Sequence, residues 1–171
     1  KREICVAACH NVRLGRGGAI AVVVFIRPGT LNAIEAGIRA ELLAAVQEVN
    51  ADESIRVAIL TGVGRAFCAG ADLTEKQPEG FDVEDQLNLE YKPIMMAITD
   101  ASKPWISAVN GAAAGIGSAF AMNCDLTVMA ENAYLYQAFA AISLVPDGGA
   151  TWHLARTLGR KRAFELRSEE H

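Results

Sequence analysis

Arg65-Ala66-Phe67-Cys68-Ala69-Gly70-Ala71-Asp72-Leu73, entered from Val57-Ala58-Ile59-Leu60 through Thr61-Gly62-Val63-Gly64, is the stretch that decides the fold. An apolar run of strand length leads into small residues where the backbone can be approached closely. Further on, Asn110-Gly111-Ala112-Ala113-Ala114-Gly115-Ile116-Gly117 repeats the arrangement of strand, glycine-punctuated turn and helix start. Two such turns can aim two backbone N–H groups at one oxygen atom, which is what holding an enolate requires. Either turn alone is ordinary loop geometry. The pair, in order and each behind a strand, carries the functional reading.

Working outward, residues 19–26 form a valine-rich run closed by Arg27-Pro28-Gly29, and residues 104–109 form another apolar run. With 57–60 they have the near-continuous apolar character of strands covered on both faces. A helix is expected after the first. Asn32 is its expected N-cap with Glu35 at capping-box spacing, and Ile34, Ile38, Leu42, Val46 and Val49 recur on one face before Asn50-Ala51-Asp52 ends it. Residues 87–98 regain helical spacing, 118–124 and 150–158 read as further helices, and Gly159 is the expected stop of the last. Residues 125–129 and 133–136 read as strands, while 138–144 fits either class. Alternating strands and helices predict an α/β architecture with crossover connections, in a single domain spanning 1–171 with no internal sequence repeat. The acidic stretch 75–90, with Lys76 its one cation, is either a mobile segment over a pocket or a solvated surface connection.

A chain of 171 residues can bury roughly two thirds of its unfolded surface as one domain. Its 51% hydrophobic and 21% charged residues are a globular composition, and a net charge of −4 without a basic stripe argues against nucleic acid as a partner. No apolar stretch reaches the ~18 residues that span a bilayer, and the N-terminus lacks a signal-peptide pattern. Cys5, Cys9, Cys68 and Cys124 have no disulfide-framework spacing, so a cytoplasmic protein with reduced thiols is expected. Cys5-x3-Cys9-His10 has no second half that would complete a metal site, and no metal is expected. Arg160-Lys161-Arg162 is a solvated helix end or a contact to a ligand phosphate.

On these residues the chain resembles the crotonase (enoyl-CoA hydratase/isomerase) superfamily from about Ala19 to Leu166, with the A-G-A-D segment at 69–72 and the N-G-x-A-x-G segment at 110–115 its most specific parts. The resemblance implies a crotonase-like spiral of β-strands and helices in ββα units. It implies an acyl-CoA thioester as substrate, with coenzyme A entering as part of that substrate and no separate cofactor. The oxyanion donors it implies are the backbone N–H groups of Ala71 and Ile116, the latter standing where relatives carry the middle glycine of a G-G-G segment. Contacts to the substrate and its coenzyme A moiety are implied for Asn32, Ala33, Ile34, Ala69, Gly70, Asp72, Leu73, Gly115 and Phe139. Assembly as a homo-trimer or hexamer is implied too, as are further helices past residue 171, whereas residues 1–18 match the family poorly.

Hydratases of this superfamily use two glutamates, and the matching positions here are Ala119 and Phe139, neither of which carries a carboxylate. Leu144-Val145-Pro146-Asp147-Gly148-Gly149 instead resembles the L-V-P-D-x-G segment of enoyl-CoA isomerases of this fold, including those acting in phenylacetate breakdown, in which the aspartate is the acid/base. One carboxylate is enough for a 1,3-proton shift. Isomerisation of an enoyl-CoA is therefore the expected activity; hydration by a single acid/base and a catalytically silent acyl-CoA binder are the alternatives. Asp147 ahead of Gly148-Gly149 is equally a sound helix-capping pattern. Asp72 is expected to stabilise its turn and His153 to pack or lie at the surface, with Trp105, Trp152 and Phe139 lining the core or an acyl pocket.

Overall fold

The apolar runs line up side by side in the computed structural model, which describes residues 10–168. In chain order its elements are strands Val12–Gly17 (β1) and Ile20–Phe25 (β2), helix Ala36–Ala51 (α1), strands Val57–Gly62 (β3) and Ala66–Cys68 (β4), and helices Val83–Gln86 (α2) and Lys92–Thr99 (α3). Strands Trp105–Val109 (β5) and Ala112–Ala114 (β6), helix Ile116–Asn123 (α4), strands Leu126–Met129 (β7) and Tyr134–Tyr136 (β8) and helix Ala150–Ser168 (α5) complete it. A five-stranded sheet runs β1-β2-β3-β5-β7, antiparallel only at the β1–β2 hairpin; β4, β6 and β8 form a second, parallel sheet.

The chain thus winds as a spiral. Each turn lays a strand in the large sheet, a short strand in the small sheet and then a helix: β3-β4-α3, β5-β6-α4 and β7-β8-α5. This is the expected α/β crotonase-like architecture. The repeat is one of backbone path, invisible in the sequence because each turn fills its core position with a different side chain. Phe67 of β4 meets Phe25 edge-on at 5.7 Å, and Phe120 of α4 leans on Phe25 at 6.4 Å and on Tyr91 at 6.5 Å. Such pairs add about 0.5–1.5 kcal/mol each beyond their burial. Trp105 is fully buried and donates its indole N–H to Asn50 Oδ1 at 3.1 Å. On the far edge, β7 exposes Leu126 and Val128.

Several expectations are corrected. Helix α1 begins at Ala36, not after Asn32, because the Glu35 carboxylate caps it, accepting from the N–H groups of Gly37 (2.8 Å) and Ile38 (3.2 Å). Asn32 has left-handed backbone geometry (φ 59°) and uses its amide elsewhere. Residues 87–98 are helical throughout, as expected, but the first turn, Leu87–Tyr91, is π-helical and precedes α3, whose first turn contains Pro93, a residue with no N–H to donate. Gly159 (φ 73°, ψ 163°) has non-helical backbone and does end the helix that starts at Ala150, as expected; the second part of α5 is a further helix across the kink. Trp152 lines neither core nor pocket; it is exposed, with the Arg156 guanidinium 3.7 Å above its ring. β1, β4 and β6 were not anticipated. Cys5 and Cys9 lie outside the described residues. Among the described residues no three or more His, Cys, Asp or Glu side chains group as metal ligands, and no helix is long and apolar enough to cross a membrane.

The acidic stretch 75–90 is pinned by a buried cation. Arg39 of α1 binds Glu75 bidentately, at 2.9 and 3.0 Å, pairs with Glu90 and lies 5.3 Å from the Tyr91 ring centre. Glu75 also accepts the Ala36 N–H, and its bond to Arg39 holds its carboxyl below the ordinary range. Replacing Arg39 with Met strands both carboxylates; we expect a loss of about 2–3 kcal/mol in urea unfolding and rapid proteolytic cutting within residues 75–90.

Candidate active site

The first glycine turn is built around two asparagines. Asn32 is fully buried; its Nδ2 shares its hydrogens among the carbonyls of Val63 (3.0 Å), Ala66 (2.9 Å) and Phe67 (3.2 Å), while its Oδ1 accepts the Arg27 N–H at 2.9 Å. Asn110 reaches the same loop from the second turn, donating to Gly64 O at 3.0 Å and Ala66 O at 3.3 Å. Beyond β4, Ile34 donates its N–H to Gly70 O (2.8 Å) and accepts the Asp72 N–H (2.9 Å), a parallel bridge opposite Ala71. That pattern uses the polar groups of 70 and 72 and turns the N–H and C=O of Ala71 to the other side. Ala71 is exposed.

The second turn mirrors this. Gly115 gives its N–H to Tyr136 O at 2.9 Å, and Ile116, the first residue of α4, has an N–H that lies outside the helical ladder. The two turns touch: a Cβ on Gly70 would stand 2.9 Å from the Ala114 carbonyl oxygen. Only glycine allows that approach, and Gly70 also has φ 97°. Phe139 is buried with its ring edge 3.9 Å from where a Gly115 Cβ would be, so it covers the second turn.

Asp147 comes to the same place from the third turn of the spiral. The next residue, Gly148 (φ 56°), packs so closely on α4 that a Cβ there would be 2.5 Å from Ile116 Cδ1 and 2.7 Å from Ala119 Cβ. The main-chain carbonyl of Asp147 accepts the Ala150 N–H at 2.9 Å, so backbone serves the start of α5. The carboxylate does not cap it: Asp147 Oδ1 is buried without a hydrogen-bond partner, and burial pushes the carboxyl up to about 6. Asp147 lines a cavity of about 280 Å³ together with Leu87, Tyr91, Met95 and Met96 and the polar residues Asn88, Lys92 and Asn123.

The remaining predicted residues fall into separate groups. Asn32 and Ile34 are fully buried and leave no surface for a ligand to touch. Ala33 and Ala69 are half-buried, and Leu73 is 76% exposed beside the first turn. Asp72 accepts from Thr74 Oγ1 (2.6 Å) and N–H (3.1 Å), which hold its carboxyl below the usual range, with Arg27 3.6 Å away. His153 lies against Gly149 and lines a different cavity, of about 380 Å³, where burial lowers its pKa. Sequence reasoning missed Asn123, whose amide donates to Gly148 O at 2.9 Å and Ala119 O at 2.8 Å. Its signal was a polar residue closing the otherwise small and apolar run 116–122.

A family model described as enoyl-CoA hydratase/isomerase matches residues 15–168. The chain is 42% identical over 157 residues to a protein of Rhodobacter capsulatus named "Probable enoyl-CoA hydratase", covering 92% of this chain and 60% of that one. It is 39% identical over 144 residues to the 1,2-epoxyphenylacetyl-CoA isomerase of Escherichia coli, covering 82% and 55%. Among solved structures, an enoyl-CoA hydratase from Mycobacterium avium subsp. paratuberculosis superposes with a TM-score of 0.84 at 29% identity, covering 94% of this chain and 63% of its own. The chain therefore spans less than two thirds of the length of these relatives.

Because the Asn32 Nδ2 holds carbonyls, a carboxylate in its place would keep the Arg27 N–H at one oxygen and set the other against the lone pairs of three carbonyls. Asn32→Asp is expected to destabilise the fold by about 3 kcal/mol at neutral pH. The buried carboxyl would have a raised pKa, so the loss grows as pH rises through its ionisation and shrinks in acid, as urea unfolding at pH 4 and pH 7 will report.

Proposed function

The chain belongs to the enoyl-CoA hydratase/isomerase family, and from that premise we propose that it acts on acyl-CoA thioesters, moving a double bond along an enoyl chain by a 1,3-proton transfer. The observation that carries this reading is a carboxylate, Asp147, whose Oδ1 is buried without a hydrogen-bond partner, on a turn packed against the helix that begins at Ile116. The positions where hydratases of the family hold glutamates are the buried Ala119 and Phe139.

In this mechanism the N–H groups of Ala71 and Ile116 meet at the thioester oxygen. Asp147 removes a proton from C2 of a 3-enoyl-CoA, and the electron pair spreads through the dienolate onto that oxygen. The carboxylic acid so formed returns the proton to C4, leaving the 2-enoyl product and the carboxylate restored. Each oxyanion donor is worth about 3 kcal/mol of barrier. Ala33, Ala69, Leu73 and Gly115 flank the route by which the coenzyme A moiety reaches the turns.

A second reading, hydration in which the Asp147 carboxylate takes a proton from the water that adds to C3 and delivers it to C2, is supported by the hydratase names of relatives such as the Rhodobacter and Mycobacterium proteins. Incorporation of oxygen-18 from labelled water into a 3-hydroxyacyl product separates the two.

Absorbance of the conjugated product from 3-enoyl-CoA measures the proposed activity. Asp147 must be ionised to act as base, so kcat/KM should climb as pH rises through about 6 and level off above it. A folded pKa raised by burial means stability that is present in acid and lost as pH rises through the same value. Asp147→Asn is therefore expected to cut turnover by roughly 10²–10⁴ while adding roughly 1–2 kcal/mol of stability at pH 7.5. A capping aspartate would show the opposite stability change; retained turnover would refute Asp147 as the acid/base.

A further inference from the structure

We propose that Asn123 is a positioning residue for the acid: it fixes the Asp147–Gly148 turn against α4, a role that rests on reading Asp147 as the acid/base. Asn123 is the last residue of α4 and lines the cavity that Asp147 lines. Its Nδ2 donates to Ala119 O, one turn back in the same helix, at 2.8 Å and to Gly148 O at 2.9 Å. Its Oδ1 accepts the hydroxyl of Thr99, at the end of α3, at 3.2 Å. One amide therefore joins the ends of two helices to the turn that carries the acid.

This matters because Asp147 Oδ1 has no partner of its own. The direction of the carboxylate is inherited from the backbone of its turn. That turn is closed internally by the Ala150 N–H to Asp147 O bond and tied to the rest of the molecule by Asn123. Gly148 also packs on Ile116 and Ala119 of α4, a contact that resists approach but not withdrawal. The same α4 begins with the Ile116 amide, so Asn123 sets the separation between the acid and one proposed oxyanion donor. A misplacement of about 1 Å can cost 10²-fold in rate.

The test combines kinetics on 3-enoyl-CoA with the titration of the Asp147 carboxyl followed by carbon-13 NMR. In Asn123→Leu we expect kcat to fall about 10–100-fold with KM within about twofold, and the Asp147 midpoint to drop toward the ordinary aspartate range as the loosened turn admits water. Lys92 and Tyr91 in the cavity and His153 beside Gly149 are untouched by the substitution. Thr99→Val, which removes an exposed hydroxyl and frees the amide to rotate, should shift both quantities the same way by less; it carries the test if Asn123→Leu does not fold. Asn123→Gln, which keeps the donor, should recover part of kcat. Unchanged kcat with an unmoved midpoint in the variants overturns the role of Asn123 and leaves the isomerase reading standing. A moved midpoint in a protein whose parent turns over no enoyl-CoA does the reverse.

Discussion

A single buried amide, that of Asn32, organises the irregular backbone on which the site is built. The backbone from the loop after β3 into the start of β4 turns three carbonyls, those of Val63, Ala66 and Phe67, toward one point, and buried carbonyls without partners cost as much as lost hydrogen bonds. A side chain that reaches all three from one point can satisfy them. An asparagine can, and it tolerates the left-handed backbone required at its position. The same short segment then binds the far side of the turn, Leu31 through the Ala69 N–H at 3.0 Å and Ile34 through Gly70 and Asp72. The free amide of Ala71 follows from the satisfaction of its neighbours.

The spiral explains how distant residues come to share a site. Successive turns of the backbone place equivalent positions side by side, so the residue after β4 adjoins the residue after β6, and the loop after β8 closes over α4. Aromatic rings from β2, β4 and α4 lock the layers beneath. The environment then differentiates the acids. Asp72 is satisfied by Thr74 and stays readily ionised, whereas Asp147 is buried with an oxygen left bare. The proposed chemistry falls to the carboxylate that the fold accommodates least comfortably.

Much of this was legible in the sequence. The strands of the large sheet announce themselves as valine-rich runs because they are covered on both faces, and the two glycine turns follow them. The three-residue strands β4 and β6 do not, since their alanines and cysteine suit any tight packing and their pairing is non-local. The start of α1 was misplaced because two residues could cap it, and only the competing demand of the loop carbonyls on Asn32 decides between them. Arg39 and Asn123 were opaque for the same reason: their partners lie 51 and 25 residues away, beyond any periodic pattern. Asp147 could be located but not interpreted, because capping and proton transfer call for the same residue at the same place; its unpartnered Oδ1 speaks against capping and supports the proposed proton transfer.

Main-chain donors have an evolutionary corollary. A hydrogen-bonding group that belongs to the backbone survives replacement of the residue that bears it by anything but proline, so natural variation at position 116 can alter shape without deleting an N–H. Here the residue is isoleucine, whose terminal methyl abuts Gly148. Under the proposed mechanism, side-chain bulk at that one site would act as a spacer between amide and carboxylate, and a lineage could retune the gap, and with it the geometry of the molecules accommodated, by changing a single codon.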